Sequence, residues 1–252
     1  MAEARSPATN RAPTTAVDPA SRRGSVRDAI VRALPIFFSA RLLGVVFLPL
    51  LIAAIAWVIV AAWAWDPFVQ WLARTAFQWA GKGAEFVAAV AGAMTFLLAA
   101  VTTALVAIAL LAMPVIVKLV AEREYPTLER RSGGTFAGSS LNALGATASF
   151  LALSLLALPL LIFPPAYVVA NLLLNANLNR KLLPYDALAE HANGDELNAI
   201  RRDARKRLFV LGLCIAPLSL IPVVNFFASL FAGVAFTILC LDELATLRGA
   251  RR

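Results

Sequence analysis

Histidine occurs once in 252 residues, cysteine twice, and charged residues make up only 15% of the chain. Each scarcity excludes a class of function. The sole histidine, His191, and the cysteines Cys214 and Cys240 form no cluster with metal-ligand spacing, so no metal site is expected. No serine or cysteine has a histidine placed to activate it, which argues against nucleophilic catalysis. The pattern Gly-x-x-x-x-Gly-Lys-Ser/Thr is absent, which excludes ATP-driven transport by this chain alone. Carboxylates are missing from the long apolar runs, where proton-coupled pumps carry them. The chain is therefore expected to be neither an enzyme nor a holder of cofactors. Both cysteines lie in apolar runs and read as small packing residues. His191, beside Glu190, reads as a solvated surface residue.

What is abundant is apolar sequence. Sixty per cent of residues are hydrophobic and the mean hydropathy is +0.76, against about 45–50% apolar in soluble domains. Leu42 to Trp65 is charge-free over 24 residues, enough to cross about 30 Å of hydrocarbon. Phe86 to Val117 is charge-free over 32 residues, about 48 Å as a helix, so it must tilt or protrude. Pro114 and Lys118 mark its end. These are read as two long transmembrane helices. All five tryptophans fall between Trp57 and Trp79, an aromatic belt at one interface. Within it, Phe68, Trp71, Leu72, Thr75 and Trp79 share a helical face, so residues 67–80 read as a short interfacial helix closed by Gly81 and Gly83.

Two further apolar regions are broken by proline. Residues 132–179 carry no charge but contain Pro159, Pro164 and Pro165, and 208–241 are broken at Pro222. The arm after Pro165 and the arm before Pro222 are each about 20 Å long as helices, too short to cross. A pair of re-entrant, hemi-penetrating helical hairpins accounts for both; short, tilted full spans are the alternative. Broken helices at membrane depth must be buried in protein or line a wet cavity, and they often mark binding sites.

The flanks are polar. Residues 1–24 are rich in Ala, Pro, Thr, Ser and Arg without periodicity and read as a disordered cytoplasmic tail with no cleavable signal peptide. Residues 25–252 then form a single α-helical membrane domain. Ser25 and Asp28 have capping-box spacing. They open an amphipathic helix of Val26, Ala29, Ile30, Ala33, Leu34, Phe37 and Phe38, with its apolar face toward the acyl region, Arg27, Asp28 and Arg32 off the stripe, and a bend at Pro35. Arg180–Arg207 reads as a cytoplasmic connector with a charged helix from Asp195 and an Asp203–Arg207 pair at i, i+4.

The net charge of +8 comes without aromatic-interleaved basic stretches, so nucleic acid is not expected as a partner. The bilayer is the partner that fits, because the basic residues flank apolar runs. Of 23 Lys and Arg, only Arg74 and Lys82 lie in the loop left for the far side, which leaves 21 on one side. That bias makes both termini cytoplasmic.

A few polar residues remain as site candidates. Asn171, Asn175 and Asn179 form one stripe on the second arm of the first hairpin, and Asn225 lies just past Pro222. Amides there either join helices or line a path for a small anion. Arg41, at the mouth of the first span, either snorkels to the headgroups or presents an anion ligand at a helix start.

Four stretches carry a family resemblance. They are Ala33-Leu34-Pro35 through Ser39-Ala40-Arg41 to Leu48-Pro49-Leu50-Leu51, then Pro114-Val115-Ile116-Val117-Lys118-Leu119-Val120-Ala121-Glu122, Leu182-Leu183-Pro184-Tyr185-Asp186, and Ile221-Pro222-Val223-Val224-Asn225 followed by Thr237. Over about residues 26–247 the chain resembles the CysZ-type sulfate permeases and their relatives, the etoposide-induced membrane proteins of eukaryotes. The resemblance implies two long transmembrane helices, two hemi-penetrating hairpins and a homo-oligomer. It also implies sulfate uptake feeding cysteine synthesis, with an anion site at Ser39, Ala40 and Arg41. Here Ser39-Ala40-Arg41 replaces the family's Gly-Leu-Arg. The resulting expectation is a permease or channel for sulfate or a similar small oxyanion in a bacterial inner membrane. A non-transporting protein that shapes or scaffolds the membrane is the alternative.

Topology mapping tests this reading. Reporters fused after Ala187 and at the C-terminus should both report cytoplasm, and one at Gly81 the periplasm. Single cysteines near Pro164 and Pro222 should resist impermeant thiol reagents added from the periplasm. A periplasmic signal at Ala187 sinks the orientation, and ready labelling at the prolines favours full spans.

Overall fold

A computed structural model describes residues 24–131 and 133–249, and every regular element among them is helical. The expected tail over 1–24 lies outside the described residues except for Gly24.

Helix α1 (Val26–Phe37) has the expected amphipathic spacing, but it buries Ala29, Ala33 and Ile36 against protein rather than lipid. Its small residues let it lie close on α8 (Pro222–Gly249), where Phe37 meets Phe231 edge-on at 5.7 Å. Val31, Leu34 and Phe38 stay exposed. The Ser25–Asp28 capping box does not form: Ser25 has the extended backbone of a cap but makes no side-chain cap bond. Pro35 is tolerated because the helix ends two residues later.

Helices α2 (Ala40–Thr75) and α3 (Ala84–Glu124) form one long antiparallel hairpin. At 36 and 41 residues they extend about 54 and 62 Å, well beyond a hydrocarbon core. The separate interfacial helix expected at 67–80 is absent, since α2 runs unbroken through Pro67 to Thr75. Packing explains the continuation. Phe68 lies 5.4 Å from Phe96, and Val69 closes on Gly92 so tightly that an added Cβ would sit 3.3 Å away. Pro67 forfeits one helical hydrogen bond and crowds the carbonyl four residues back, and these contacts hold the helix through it. The turn falls at Gly81, whose φ of 55° suits glycine. Nor does α3 stop at Lys118. It continues to Glu124 because Leu119, Val120 and Ala121 join the core.

Helices α4 (Phe136–Ala157) and α5 (Pro164–Leu188) are joined by a 3₁₀ turn over Leu158–Ile162. Polar bonds stitch them together: Ser139 donates to Asp186, Asn142 Nδ2 donates to Lys181 O at 3.0 Å, and Lys181 Nζ donates to Ser149 Oγ at 2.8 Å. The region expected as a connector from Arg180 is helical as far as Leu188. Helix α6 (Gly194–Asp203) follows, capped by a reciprocal Asn193–Glu196 box. It breaks at Ala204, and α7 (Arg205–Ile215) starts at once. Arg207 therefore reaches Glu243 on α8 rather than Asp203, which pairs with Arg202.

The short arm α7 is carried by a close crossing. A Cβ on Gly212 would sit 2.9 Å from the carbonyl oxygen of Ala176, so glycine lets α7 press directly on the α5 backbone. Helix α8 runs through the centre, with residues 234–241 all buried. In its most apolar stretch 72% of residues are buried, against 17% in α2, whose surface is left for lipid. By length and composition four helices can cross a membrane: Ala40–Thr75, Gln78–Glu124, Ala137–Ile162 and Val224–Gly249.

One polar knot ties the loops to the end of α8. Arg248 donates to both carboxylate oxygens of buried Glu196 (3.1 and 2.9 Å), to Glu129 O and to His191 O. His191 is not solvated as expected but 1% exposed, and its Nδ1 has no hydrogen-bond partner. The turn that carries it is pinned between α5, α6 and Arg248, which closes it off from water.

Burial, and then the nearby Arg130 charge, lower the His191 pKa from its ordinary value. Hydrogen bonding to Arg248 lowers that of Glu196. In both cases the unfolded chain takes up a proton that the folded one refuses, so stability present at neutral pH falls as pH drops. Thermal unfolding in detergent should show a first loss as pH passes below about 6.5 and a further one in the carboxylate range. His191→Leu should abolish the first loss and keep the second. An unchanged profile in that variant would assign the loss to other groups.

Candidate functional site

The turn between α1 and α2 gathers the candidate anion residues. Phe38 N–H closes α1 on Leu34 O at 3.1 Å, and Ser39 then takes an extended backbone (φ −70°, ψ 142°) as the cap of α2. Ser39 Oγ accepts the Leu42 N–H at 3.4 Å, and Ser39 O accepts the Leu43 N–H at 3.0 Å. The first N–H groups of a helix, here those of Ala40 and Arg41, have no acceptor in the helical ladder. The start of a helix of this length is also favourable ground for an anion.

Opposite this turn lies the last turn of α3. Ser39, Ala40 and Arg41 share a cavity of about 360 Å³ with Leu119, Glu122 and Arg123. Arg41 Nη1 lies 3.6 Å from Glu122 Oε2, with side chains 76% and 46% exposed. An exposed pair of that length contributes little, so Arg41 can exchange its partner at small cost. Arg123 pairs with no carboxylate among the described residues. The cavity thus offers two guanidiniums, one weakly competing carboxylate and the start of a helix. It suits a small, multiply accepting anion.

The asparagines are elsewhere. Asn171, Asn175 and Asn179 do form one half-buried stripe on α5, where Asn175 Nδ2 donates to Asn171 Oδ1 at 2.8 Å and to Asn171 O at 3.0 Å. Asn225 is exposed on the first turn of α8, and its carbonyl accepts from Ser229. None of the four lines the Ser39–Arg41 cavity.

A second cluster holds the site in place. Arg32, set off the apolar stripe of α1 by its spacing, donates to Glu124 Oε2 (2.8 and 3.1 Å), to Asp242 Oδ2 (2.9 Å) and to Tyr125 Oη (2.9 Å). Tyr125 in turn donates to Asp242 Oδ1. One guanidinium therefore joins α1, the end of α3 and α8, seven residues before Ser39. Sequence spacing missed this cluster because its members lie about 90 to 210 positions apart. The one available signal was an arginine beside an apolar stripe in a chain short of charge.

The helical architecture and its lipid-facing surface define the class: a multi-pass α-helical membrane protein. Residues 29–229 match the family described as Sulfate transporter CysZ/Etoposide-induced protein 2.4, and the chain belongs to that family. No curated protein and no solved structure matches it.

Arg32→Ala should be strongly destabilising, by about 3 kcal/mol, because it leaves Asp242 buried beside an uncompensated Glu124. Tyr125→Phe should cost about 1 kcal/mol, the loss of a hydrogen bond within an otherwise intact pair. Thermal unfolding of the two purified variants checks the order, and an equal or reversed order removes Arg32 from the centre of the cluster.

Proposed function

We propose that this protein is an inner-membrane permease or channel for sulfate or a similar small oxyanion, acting as a homo-oligomer without cofactor or ATP. The observation that carries the reading is the cavity in which Arg41 and Arg123 meet at the start of α2, inside the family-matched region. An oxyanion arriving there exchanges hydration for guanidinium donors and the free N–H groups of α2. Ser39 supports the same role in a different way from a glycine. Its hydroxyl occupies the Leu42 N–H and leaves the two preceding amides for the ligand.

The α4–α5 and α7–α8 pairs serve as re-entrant hairpins. The first apex is apolar and bare, with Ile162 91% exposed, and the second exposes Ile221 at 55% close to a single amide, Asn225. A loop emerging into water on the far side would be expected to carry polar residues instead. Helix α7, 11 residues long, spans about 17 Å. The basic end, with α1, α6 and the Arg248 knot, faces the cytoplasm. The scaffolding alternative draws on the length of the α2–α3 hairpin and its exposed aromatic end, and predicts no flux at all.

Radiolabelled sulfate flux into proteoliposomes separates the two readings. Arg41→Lys should insert and express normally yet lose about tenfold in flux, because lysine keeps the charge but not the planar donors. Glu122→Gln, which removes the competing carboxylate, should hold or raise flux. Lysine performing as well as arginine would leave Arg41 a snorkelling residue and remove this site from the pathway.

A further inference from the structure

Arg180 stands where the apolar arm of α5 gives way to charge, and its surroundings are unusual. The α5–α7 crossing at Ala176 and Gly212 sets the antiparallel register. One turn further along α5, Arg180 therefore meets the preceding turns of α7. Its guanidinium lies 5.7 Å over the Phe209 ring, and it donates to Asn177 one turn back on its own helix. These contacts hold the planar group in one orientation.

The charge that acts on Arg180 has the same sign. Arg205 lies at i−4 from Phe209, on the same face of α7, close enough that its charge acts on Arg180. Burial and this like charge both weigh against the cationic form of Arg180. Neighbouring arginines have carboxylate contacts, Arg207 with Glu243 and Arg202, at the exposed surface, with Asp203. Neither Arg180 nor Arg205 reaches a carboxylate among the described residues. Arg180 is half-buried and Arg205, one turn before Phe209, is exposed; with no carboxylate on either, the pair favours an anion from outside the chain.

We propose that Arg180 and Arg205 form a binding site for a phosphate-type oxyanion at the base of the two hairpins, filled by the headgroup of an anionic phospholipid. The exposed apolar side chains of the same two helices, Leu173 and Val169 on α5 and Val210 and Leu213 on α7, begin within two turns of the pair. A headgroup bridging the guanidiniums has its acyl chains alongside those residues. A free tetrahedral oxyanion offers the same acceptors without the chains, and the experiment separates the two sources. The site is distinct from the Ser39–Arg41 cavity, with which it shares no residue.

The test uses the full-length protein in nanodiscs and detergent. Retention of phosphatidylglycerol against phosphatidylcholine is measured by native mass spectrometry, with inorganic phosphate or sulfate as competitor. Wild type should retain phosphatidylglycerol selectively. Arg180→Gln and Arg205→Gln should each weaken that retention about fivefold, the worth of one basic residue at an anionic surface. Phe209→Leu should weaken it by releasing Arg180. Arg202→Gln, which removes an equal charge already paired with Asp203, and Arg41→Lys should leave it unchanged. If no lipid is retained but inorganic phosphate or sulfate binds, and the two arginine variants remove the part of that binding that Arg41→Lys leaves intact, the oxyanion site stands with a soluble ligand. If Arg202→Gln is as damaging as Arg180→Gln, or if neither arginine variant alters lipid or anion binding, the site is overturned.

Discussion

A buried carboxylate near the end of the central helix sets the arrangement at the basic end of this protein. Asp242 is 4% exposed and lies on a helix packed on all sides. A charge in that position needs a partner with good geometry, and Arg32 supplies it from α1. Neutralising Asp242 brings α1 down onto α8. The same guanidinium holds Glu124 and so fixes where α3 ends. Tyr125 closes the ring, and burial together with the neighbouring carboxylate keeps its phenol protonated. Once α1 is fixed, the turn at Phe38–Ser39 has little freedom, and the first amides of α2 face the last turn of α3. The geometry of the candidate anion site is thus a consequence of an ion pair that never touches the ligand.

At the opposite extreme are the elements that face lipid. Helix α2 leaves most of its surface open, and its partner α3 is joined to it by aromatic contacts and by Trp57 donating to Thr103 at 3.2 Å. Every backbone polar group in such a hairpin must be satisfied within its own helix. Pro49 and Pro67 each free one carbonyl, yet α2 continues through both to Thr75, past the start of the separate interfacial helix expected at 67–80. The short arm α7 solves the same problem differently. It presses its Gly212 onto the α5 backbone, and main-chain packing takes the place of length.

Much of this was legible in the chain. Charge-free runs located α2 and α3, prolines located both hairpin turns, and the charged helix expected from Asp195 falls at α6. Ser39-Ala40-Arg41 came forward through the family resemblance and lies along a cavity, but Arg123 opposite was not read, because nothing in local spacing says which turn of α3 faces Arg41. Helix ends were read at the first charge or proline and came out short. In a helix held by tertiary contacts, Pro114 and Lys118 do not end the ladder while Leu119 and Val120 still have a core to join. His191 shows the same limit from the other side. Its polar neighbours suggested solvent, and the knot around Arg248 that buries it joins residues more than 50 positions apart.

Sorting the arginines by partner separates architecture from function. Arg32, Arg207 and Arg248 each hold a carboxylate that is at least partly withdrawn from water, and each joins helices distant in sequence. Such pairs are strongly destabilising to break and therefore unsuited to exchanging ligands. Arg41 has only a long, exposed contact with Glu122, while Arg123, Arg180 and Arg205 have no carboxylate among the described residues. A chain with only 15 acidic residues against 23 basic ones cannot neutralise every guanidinium. Of the described guanidiniums without a carboxylate, Arg123 lies at the mouth of α2 and Arg180 and Arg205 at the base of the two hairpins; Arg27, Arg74, Arg130 and Arg201 lie elsewhere. Guanidiniums without internal counterions, set against apolar surface, raise the local concentration of whatever anions the surroundings supply. On the reading proposed above, those are small oxyanions at the α2 mouth and phospholipid headgroups beside α5 and α7. Part of the charge excess that first suggests a generic basic protein is thus placed by packing at two separate positions, which on the proposed reading hold different anions.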